Sequence, residues 1–189
     1  MTNRKICKRF SMKLLKTEDL EDMFIPPETI IDITNGQQPE GVRIPGFTAA
    51  LYRDYLASSS DVFILGFAGT NDLDDLLEDI VQGVGLSTLQ YPVAMRVSHS
   101  LGQMPLFQQN NISLAGHSLG GGLASAGAVA SGFPAMTFNA AGLGETVLYR
   151  DPDSGELVYD ANGNYVEQYP GSLTPVQQSY EYNAIFRRL

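Results

Sequence analysis

Ser118 lies at the centre of a Gly-x-Ser-x-Gly pattern that it forms with Gly116 and Gly120. The apolar run 112–115 before it predicts a buried strand, and a stretch rich in Gly, Ala and Ser, from Leu119 to about Ala130, predicts a helix. A serine on a sharp strand-to-helix turn is a nucleophile elbow, in which crowded backbone requires glycine two residues before and two after the serine. The spacing therefore predicts nucleophilic catalysis by Ser118.

Attack by a serine on an acyl group also needs hydrogen-bond donors for the oxyanion that develops. The N–H of Leu119 is one candidate, because it begins the predicted helix, where the helix dipole favours negative charge. Residues 61–67 form a second predicted strand, which runs into Ala68-Gly69-Thr70. We expect Thr70 to supply the second donor, and Asn71 or Asp72 to cap the helix that follows.

The chain lacks an obvious base for this serine. A serine nucleophile of this type needs a carboxylate and then a histidine, both later in the chain. The two histidines, His99 and His117, both precede Ser118. A surface or helix-packing role is favoured for His99, and a packing role or a supporting role near the serine for His117. No catalytic base is found and the catalytic acid is unknown; Asp151, Asp153 and Asp160 are the downstream aspartates considered for it, and none of them is assigned.

Three explanations for the missing base remain open. The chain is a fragment whose continuation carries the acid and the histidine, or it is a degenerate hydrolase that only binds, or a partner or His99 supplies the base. A serine without its base retains only the contributions of the oxyanion hole and of binding. We therefore expect the 189-residue chain to be nearly inactive by itself.

The composition limits the class of protein. With 12 basic and 21 acidic residues, the net charge of -9 disfavours nucleic acid and anionic membranes as partners held by charge. Cys7 is the single cysteine, so no internal disulfide can form. The basic start, residues 1–16, lacks the apolar core of a Sec signal peptide, and no run reaches the roughly 18 apolar residues of a membrane span. We expect a soluble protein, cytoplasmic or exported by a non-Sec route.

The order of the predicted elements indicates an α/β fold with a mostly parallel central sheet. Strands are predicted at 29–33, 46–55, 61–67, 112–115 and 134–139, and helices at 18–23, 73–84, 87–101 and 119–130. The second and third strands are expected to form a hairpin. The acidic residues between Asp72 and Asp79 read as the solvated face of a helix, so no metal or cofactor is expected.

The pattern changes after Gly144. Short strands at 147–150, 156–160 and 164–168 are predicted, with turns at Asp153-Ser154-Gly155 and at Asn162-Gly163, and a last helix from Thr174. We divide the chain into an N-terminal extension (1–45), a core (46–144), and a hairpin region with a terminal helix (145–189).

Three blocks of the sequence together resemble the class 3 lipase family of α/β hydrolases. They are Phe67-Ala68-Gly69-Thr70-Asn71 with the acidic helix and Gln82-Gly83, then Gln90-Tyr91 with Ala94, and then Gly116-His117-Ser118-Leu119-Gly120-Gly121. The segment 138–143 also resembles the strand end that lines the pocket in bacterial lipase-like members. The resemblance spans Gly46 to Leu143, and Ala68 stands where the family has Arg.

The resemblance implies that Ser118 is the nucleophile and that Thr70 and the N–H of Leu119 form the oxyanion hole. It implies a lipid or other acyl-ester substrate, no cofactor or metal, and an α/β-hydrolase sheet that lacks the C-terminal part carrying the catalytic histidine. The alternative function is a catalytically dead module of the same fold that binds lipid or protein.

Overall fold

A computed structural model of the chain describes residues 12–25, 46–54, 62–69, 86–108, 111–143 and 145–169. Thr70, the predicted strand 29–33 and the predicted helices at 73–84 and from Thr174 lie outside these ranges. The elements are β1 (Met12–Leu14), α1 (Thr17–Asp22), β2 (Ala49–Asp54), β3 (Val62–Phe67), α2 (Leu86–Gly102), β4 (Ile112–His117), α3 (Leu119–Ser131), β5 (Ala135–Phe138) and a 3₁₀ helix (Glu145–Tyr149).

The described strands form one five-stranded sheet in the order β1-β2-β3-β4-β5. β2 pairs with β1 and with β3 in antiparallel fashion, and the second of these pairings is the predicted hairpin. β3 pairs with β4, and β4 with β5, in parallel. The chain therefore has an α/β fold, but its described sheet is mixed rather than mostly parallel.

One face of the sheet carries the core. Alternate residues of the central strands are buried, because successive side chains of a strand point to opposite faces. Leu65 lies in register with Leu114, and Phe63 packs edge-on against Phe107 with ring centroids 5.1 Å apart. The register Tyr52–Ile64–Ser113 places those three residues on the opposite face.

α3 covers this sheet and positions the end of β4. It contacts β3, β4 and β5 and also packs against α2. The close contact between the two helices is possible because Gly127 has no side chain, and a Cβ there would overlap Ser98 Oγ and lie 3.0 Å from Leu114 Cδ1. The helices predicted at 87–101 and 119–130 are thus confirmed.

The N-terminal segment contains a strand that the sequence did not reveal. β1 pairs with β2 through Met12–Asp54, Lys13–Arg53 and Leu14–Tyr52. Three residues within a basic stretch are too short to show a period. The short helix after it was predicted, and its first N–H groups are partly satisfied by Asp19, whose carboxylate accepts from Lys16 N at 2.8 Å.

The region after Gly144 differs from the prediction. The expected strand 147–150 is wrong, because Glu145–Tyr149 forms a 3₁₀ helix that buries Val147. The other two expected strands are reduced to isolated antiparallel bridges, Arg150–Leu157 and Tyr159–Tyr165. The turns lie where they were predicted, because Gly155 and Gly163 adopt the positive φ angles, 74° and 82°, that each turn requires.

Candidate active site

Ser118 lies at the junction between β4 and α3 in a strained backbone conformation. Its φ is 56° and its ψ is -124°. Residues other than glycine rarely adopt such a conformation, which costs on the order of 1–3 kcal/mol and persists only where the surrounding structure enforces it. The chain therefore makes the sharp strand-to-helix turn that the sequence predicts.

The two glycines of the motif are required by close approach of the backbone. A Cβ on Gly116 would overlap the carbonyl group of Gly120. A Cβ on Gly120 would overlap the carbonyl oxygen of Phe67, at the end of β3, and lie 2.8 Å from the carbonyl carbon of Ala68. Any side chain at either position would push β3, β4 and α3 apart, so the spacing of the motif is set by sterics.

The next two glycines, Gly121 and Gly122, face other neighbours. A Cβ on Gly121 would lie 2.8 Å from the Cβ of Ala140. A Cβ on Gly122 would overlap the hydroxyl of Tyr91 and lie 2.8 Å from the carbonyl oxygen of Ala141. The first turn of α3 is thus enclosed by the end of β3, by α2 and by the segment after β5, and this packing explains the three consecutive glycines.

Hydrogen bonds hold the backbone of Ser118 on two sides. Its N–H donates to the carbonyl oxygen of Phe138 at 3.1 Å, and its carbonyl oxygen accepts from Ala141 N at 2.9 Å. The same oxygen accepts from Gly121 N at 3.0 Å and from Gly122 N at 3.2 Å. The turn is therefore fixed both by α3 and by the segment that leaves β5.

Of the two predicted oxyanion donors, Leu119 lies within the described residues and Thr70 does not. Leu119 is the first residue of α3 and is buried. Thr70 lies outside the described residues, but Gly69 just before it is close to the turn. A Cβ on Gly69 would lie 3.7 Å from the Cβ of Ser118 and 2.9 Å from the carbonyl oxygen of His117.

The histidines do not provide a base in direct contact with Ser118. His99 Nδ1 is 3.0 Å from the carbonyl oxygen of Ala130, near the C-terminal end of α3. At 1.5 Å per residue, Ala130 is about 18 Å along the helix from Ser118. His117 is the last residue of β4 and is exposed, so the predicted packing role is wrong for this residue. The predicted packing role of His99 is consistent with this geometry.

The three downstream carboxylates organise turns or pair with His99. Hydrogen bonds from the backbone and hydroxyl of Ser154 lower the pKa of Asp151. Hydrogen bonds from the backbone and side chain of Asn164 lower the pKa of Asp160. Asp153 Oδ1 lies 3.4 Å from His99 Nε2. These contacts identify structural roles, and the catalytic acid stays unassigned.

The described residues show neither a cluster of metal-ligating side chains nor a helix suited to cross a membrane. Among the described residues, no group of three or more His, Cys, Asp or Glu side chains is arranged to hold a metal ion. The acidic residues 72–79 are not among them. Within the same ranges, no helix is both long enough and apolar enough to cross a membrane.

The structure brings Gly69, Gly116, Ser118, Leu119 and Gly120 together and keeps His99 away from them. Tyr91 was not among the predicted site residues, but its hydroxyl lies against Gly122 in the first turn of α3. The signal for it was present, since Gln90-Tyr91 is one of the blocks of the lipase resemblance. The Tyr91 hydroxyl donates to the carbonyl oxygen of Gly142, 51 positions later in the chain, and local spacing does not reveal such a contact.

An α/β chain with a serine on a strained, glycine-enclosed turn fits a lipid-ester hydrolase, and comparison with known proteins identifies the family. Residues 13–184 match the family model of the Tle-like phospholipase domain, described as phospholipase-like. The chain belongs to this family. It is also 39% identical over 139 residues to an extracellular phospholipase A1 of Serratia liquefaciens.

The match to this relative covers 71% of the chain and 41% of the relative. The chain thus spans about two fifths of the length of that curated protein. Both comparisons support a lipase or phospholipase family, and the narrower assignment to class 3 lipases stays a hypothesis.

Proposed function

We propose that this chain carries the nucleophile of a serine ester hydrolase that acts on phospholipids. The observation that carries the proposal is the strained conformation of Ser118 at the N-terminus of α3, enclosed by glycines. Strained backbone of this kind is concentrated at functional sites. The family match and the phospholipase A1 relative support lipid esters as the substrate class.

In the proposed reaction, Ser118 Oγ attacks the acyl carbonyl carbon and loses its proton to a base. The C=O double bond opens to an oxyanion, which accepts hydrogen bonds from the N–H of Leu119 and from Thr70. The oxyanion then collapses and the ester C–O bond breaks. The base gives the proton it took from Ser118 to the leaving oxygen, and the lysophospholipid departs. Water attacks the acyl-enzyme, releases the fatty acid and restores the serine hydroxyl. No metal or cofactor takes part.

The position of Gly69 supports the assignment of Thr70. The Cβ position of Gly69 is 3.7 Å from that of Ser118, and consecutive Cα atoms are about 3.8 Å apart. Gly69 is therefore in close contact with the turn, and Thr70 follows it directly in the sequence. This geometry also supports the finer proposal that the fold is of the α/β-hydrolase type, in which the oxyanion donors come from these two junctions.

The base must come from outside the described geometry. No histidine follows Ser118, and His99 contacts the opposite end of α3. We therefore propose that an additional segment or a partner supplies the acid and the base, and that the chain alone is nearly inactive. The alternative is a catalytically dead module that binds lipid or protein, and the exposed side chains of Met136 and Phe138 on β5 favour it, since Phe138 is hydrogen-bonded through its carbonyl oxygen to Ser118 N.

The test replaces the missing base with free imidazole. The purified chain is incubated with a p-nitrophenyl ester and with phosphatidylcholine vesicles, with and without imidazole, beside the variant Ser118→Ala. We expect little turnover without imidazole, and imidazole-dependent turnover above that of Ser118→Ala, because the oxyanion hole and binding retain about 10³–10⁴-fold catalysis over water.

A fluorophosphonate, followed by peptide mass spectrometry, identifies the reactive residue. Imidazole-dependent labelling of Ser118 supports the proposal. Rapid turnover without imidazole that disappears in Ser118→Ala would show that the chain already holds a base. Equal rates for the wild type and Ser118→Ala, together with vesicle binding by both, would favour the lipid-binding module.

A further inference from the structure

Tyr91 links α2 to the segment that follows β5. Its side chain is only 8% exposed, and its hydroxyl donates to the carbonyl oxygen of Gly142 at 3.1 Å. A buried tyrosine ring gives a rigid support for a hydrogen bond between parts of the chain that are far apart in sequence. The bond therefore restrains the backbone around Gly142.

The restrained segment is bonded directly to the turn at Ser118. Ala141, next to Gly142, donates its N–H to the carbonyl oxygen of Ser118 at 2.9 Å. Gly121 and Gly122 donate their N–H groups to the same oxygen. Three donors thus determine the direction of one carbonyl group, and two of them belong to α3 while the third depends on the segment that Tyr91 holds.

The direction of this carbonyl determines the direction of the Leu119 N–H. The peptide between Ser118 and Leu119 is trans, as are all the described peptides. In a planar trans peptide the C=O and N–H bonds point in opposite directions. Fixing the Ser118 carbonyl towards Gly121, Gly122 and Ala141 therefore aims the Leu119 N–H away from them.

The packing around the Tyr91 hydroxyl is specific. A Cβ on Gly122 would overlap this hydroxyl and come within 2.8 Å of the Ala141 carbonyl oxygen. The hydroxyl therefore lies between the first turn of α3 and the segment 140–143, and the absence of a side chain at Gly122 leaves space for it.

We infer that Tyr91 is a positioning residue for the oxyanion hole: through Gly142 and Ala141 it orients the Ser118–Leu119 peptide, whose N–H stabilises the oxyanion. This inference rests on the proposed function for the role of Leu119, but the orientation of the peptide does not depend on it. Tyr91 acts through the backbone and is not a catalytic residue.

The test is the variant Tyr91→Phe, which removes one oxygen atom and keeps the ring. Tyr52→Phe, on the opposite face of the sheet, is the matched control. Amide hydrogen exchange is followed by NMR. In Tyr91→Phe, we expect exchange at Ala141 to accelerate about fivefold to tenfold. We expect exchange of the buried amides of β3 and β4 to be unchanged, and Tyr52→Phe to leave Ala141 as in the wild type.

The second readout is imidazole-rescued ester hydrolysis. We expect kcat to fall about tenfold in Tyr91→Phe, with KM within twofold of the wild type. A misdirected N–H stabilises the transition state less well but does not change substrate binding. Unchanged exchange at Ala141, or equal acceleration at all amides of α2, α3 and the sheet, would overturn the inference. If the wild type shows no rescued turnover, the proposed function fails, and the exchange of Ala141 still decides the role of Tyr91.

Discussion

Replacing Ser118 with glycine should stabilise the fold, although it removes the residue proposed to do the chemistry. Ser118 has a φ of 56° and a ψ of -124°, a conformation that costs a residue with a Cβ on the order of 1–3 kcal/mol. Glycine adopts it without that strain but loses about 0.5–1 kcal/mol more backbone entropy on folding. The variant Ser118→Ala keeps the Cβ and therefore keeps the strain.

The difference between these two terms sets the expected result. We expect Ser118→Gly to be more stable than Ser118→Ala by about 1 kcal/mol, near the middle of the range of about 0–2.5 kcal/mol that the two terms span. For a chain of 189 residues, this corresponds to an increase in Tm of about 2–4 °C. Urea and thermal denaturation, each followed by circular dichroism, measure the difference directly and require no catalytic activity.

The matched control is Ser125→Gly, in the middle of α3. Glycine in a helix interior is less favourable than serine, so this variant should lose about 0.3–0.5 kcal/mol. If Ser118→Gly were no more stable than Ser118→Ala, the strain at the turn would be absent. The structural argument for a functional serine at this position would then fail.

Three further variants test the surroundings of the site. The free energy of unfolding of Gly120→Ala, measured by urea denaturation, should fall by about 1–3 kcal/mol because the new Cβ overlaps the Phe67 carbonyl oxygen. Gly102→Ala is the control, because the nearest atom to its new Cβ is 3.6 Å away, and it should be neutral or slightly stabilising. Equal effects of the two variants would refute the packing argument. His99→Gln should leave the labelling of Ser118 measured without imidazole within twofold of the wild type, and a large loss of that labelling would implicate His99 as the base. Hydrogen bonds from Asn164 lower the pKa of Asp160 below 3.8, so the contribution of Asp160 to stability is present above pH 3.8 and is lost as the pH falls through the lowered pKa. The NMR shifts of the turn at Asn162-Gly163 should change with acid as Asp160 takes up its proton. Asp160→Asn should abolish that change, and an unchanged titration in the variant would contradict the assignment.

Much of the α/β framework could be predicted because its signals are local. The alternating burial of β3 and β4 and the long helices α2 and α3 follow from periodicity that a window of the sequence contains. The turn at Ser118 was predictable for a steric reason, since only glycine fits beside the Gly120 and Phe67 carbonyls. The 3₁₀ helix at Glu145–Tyr149 was missed because its apolar run, Val147-Leu148-Tyr149, is too short to distinguish a strand from a short helix.

The sequence by itself determined the position of the serine, its flanking glycines, the start of the helix at Leu119 and the lack of a histidine between Leu119 and Leu189, because these depend on residue identity and short spacing. Only the tertiary structure decided that His99 contacts the far end of α3 and that Tyr91 reaches Gly142. Those two contacts join residues 31 and 51 positions apart. Their formation depends on how the helices pack against the sheet, and no local pattern in the chain encodes that packing.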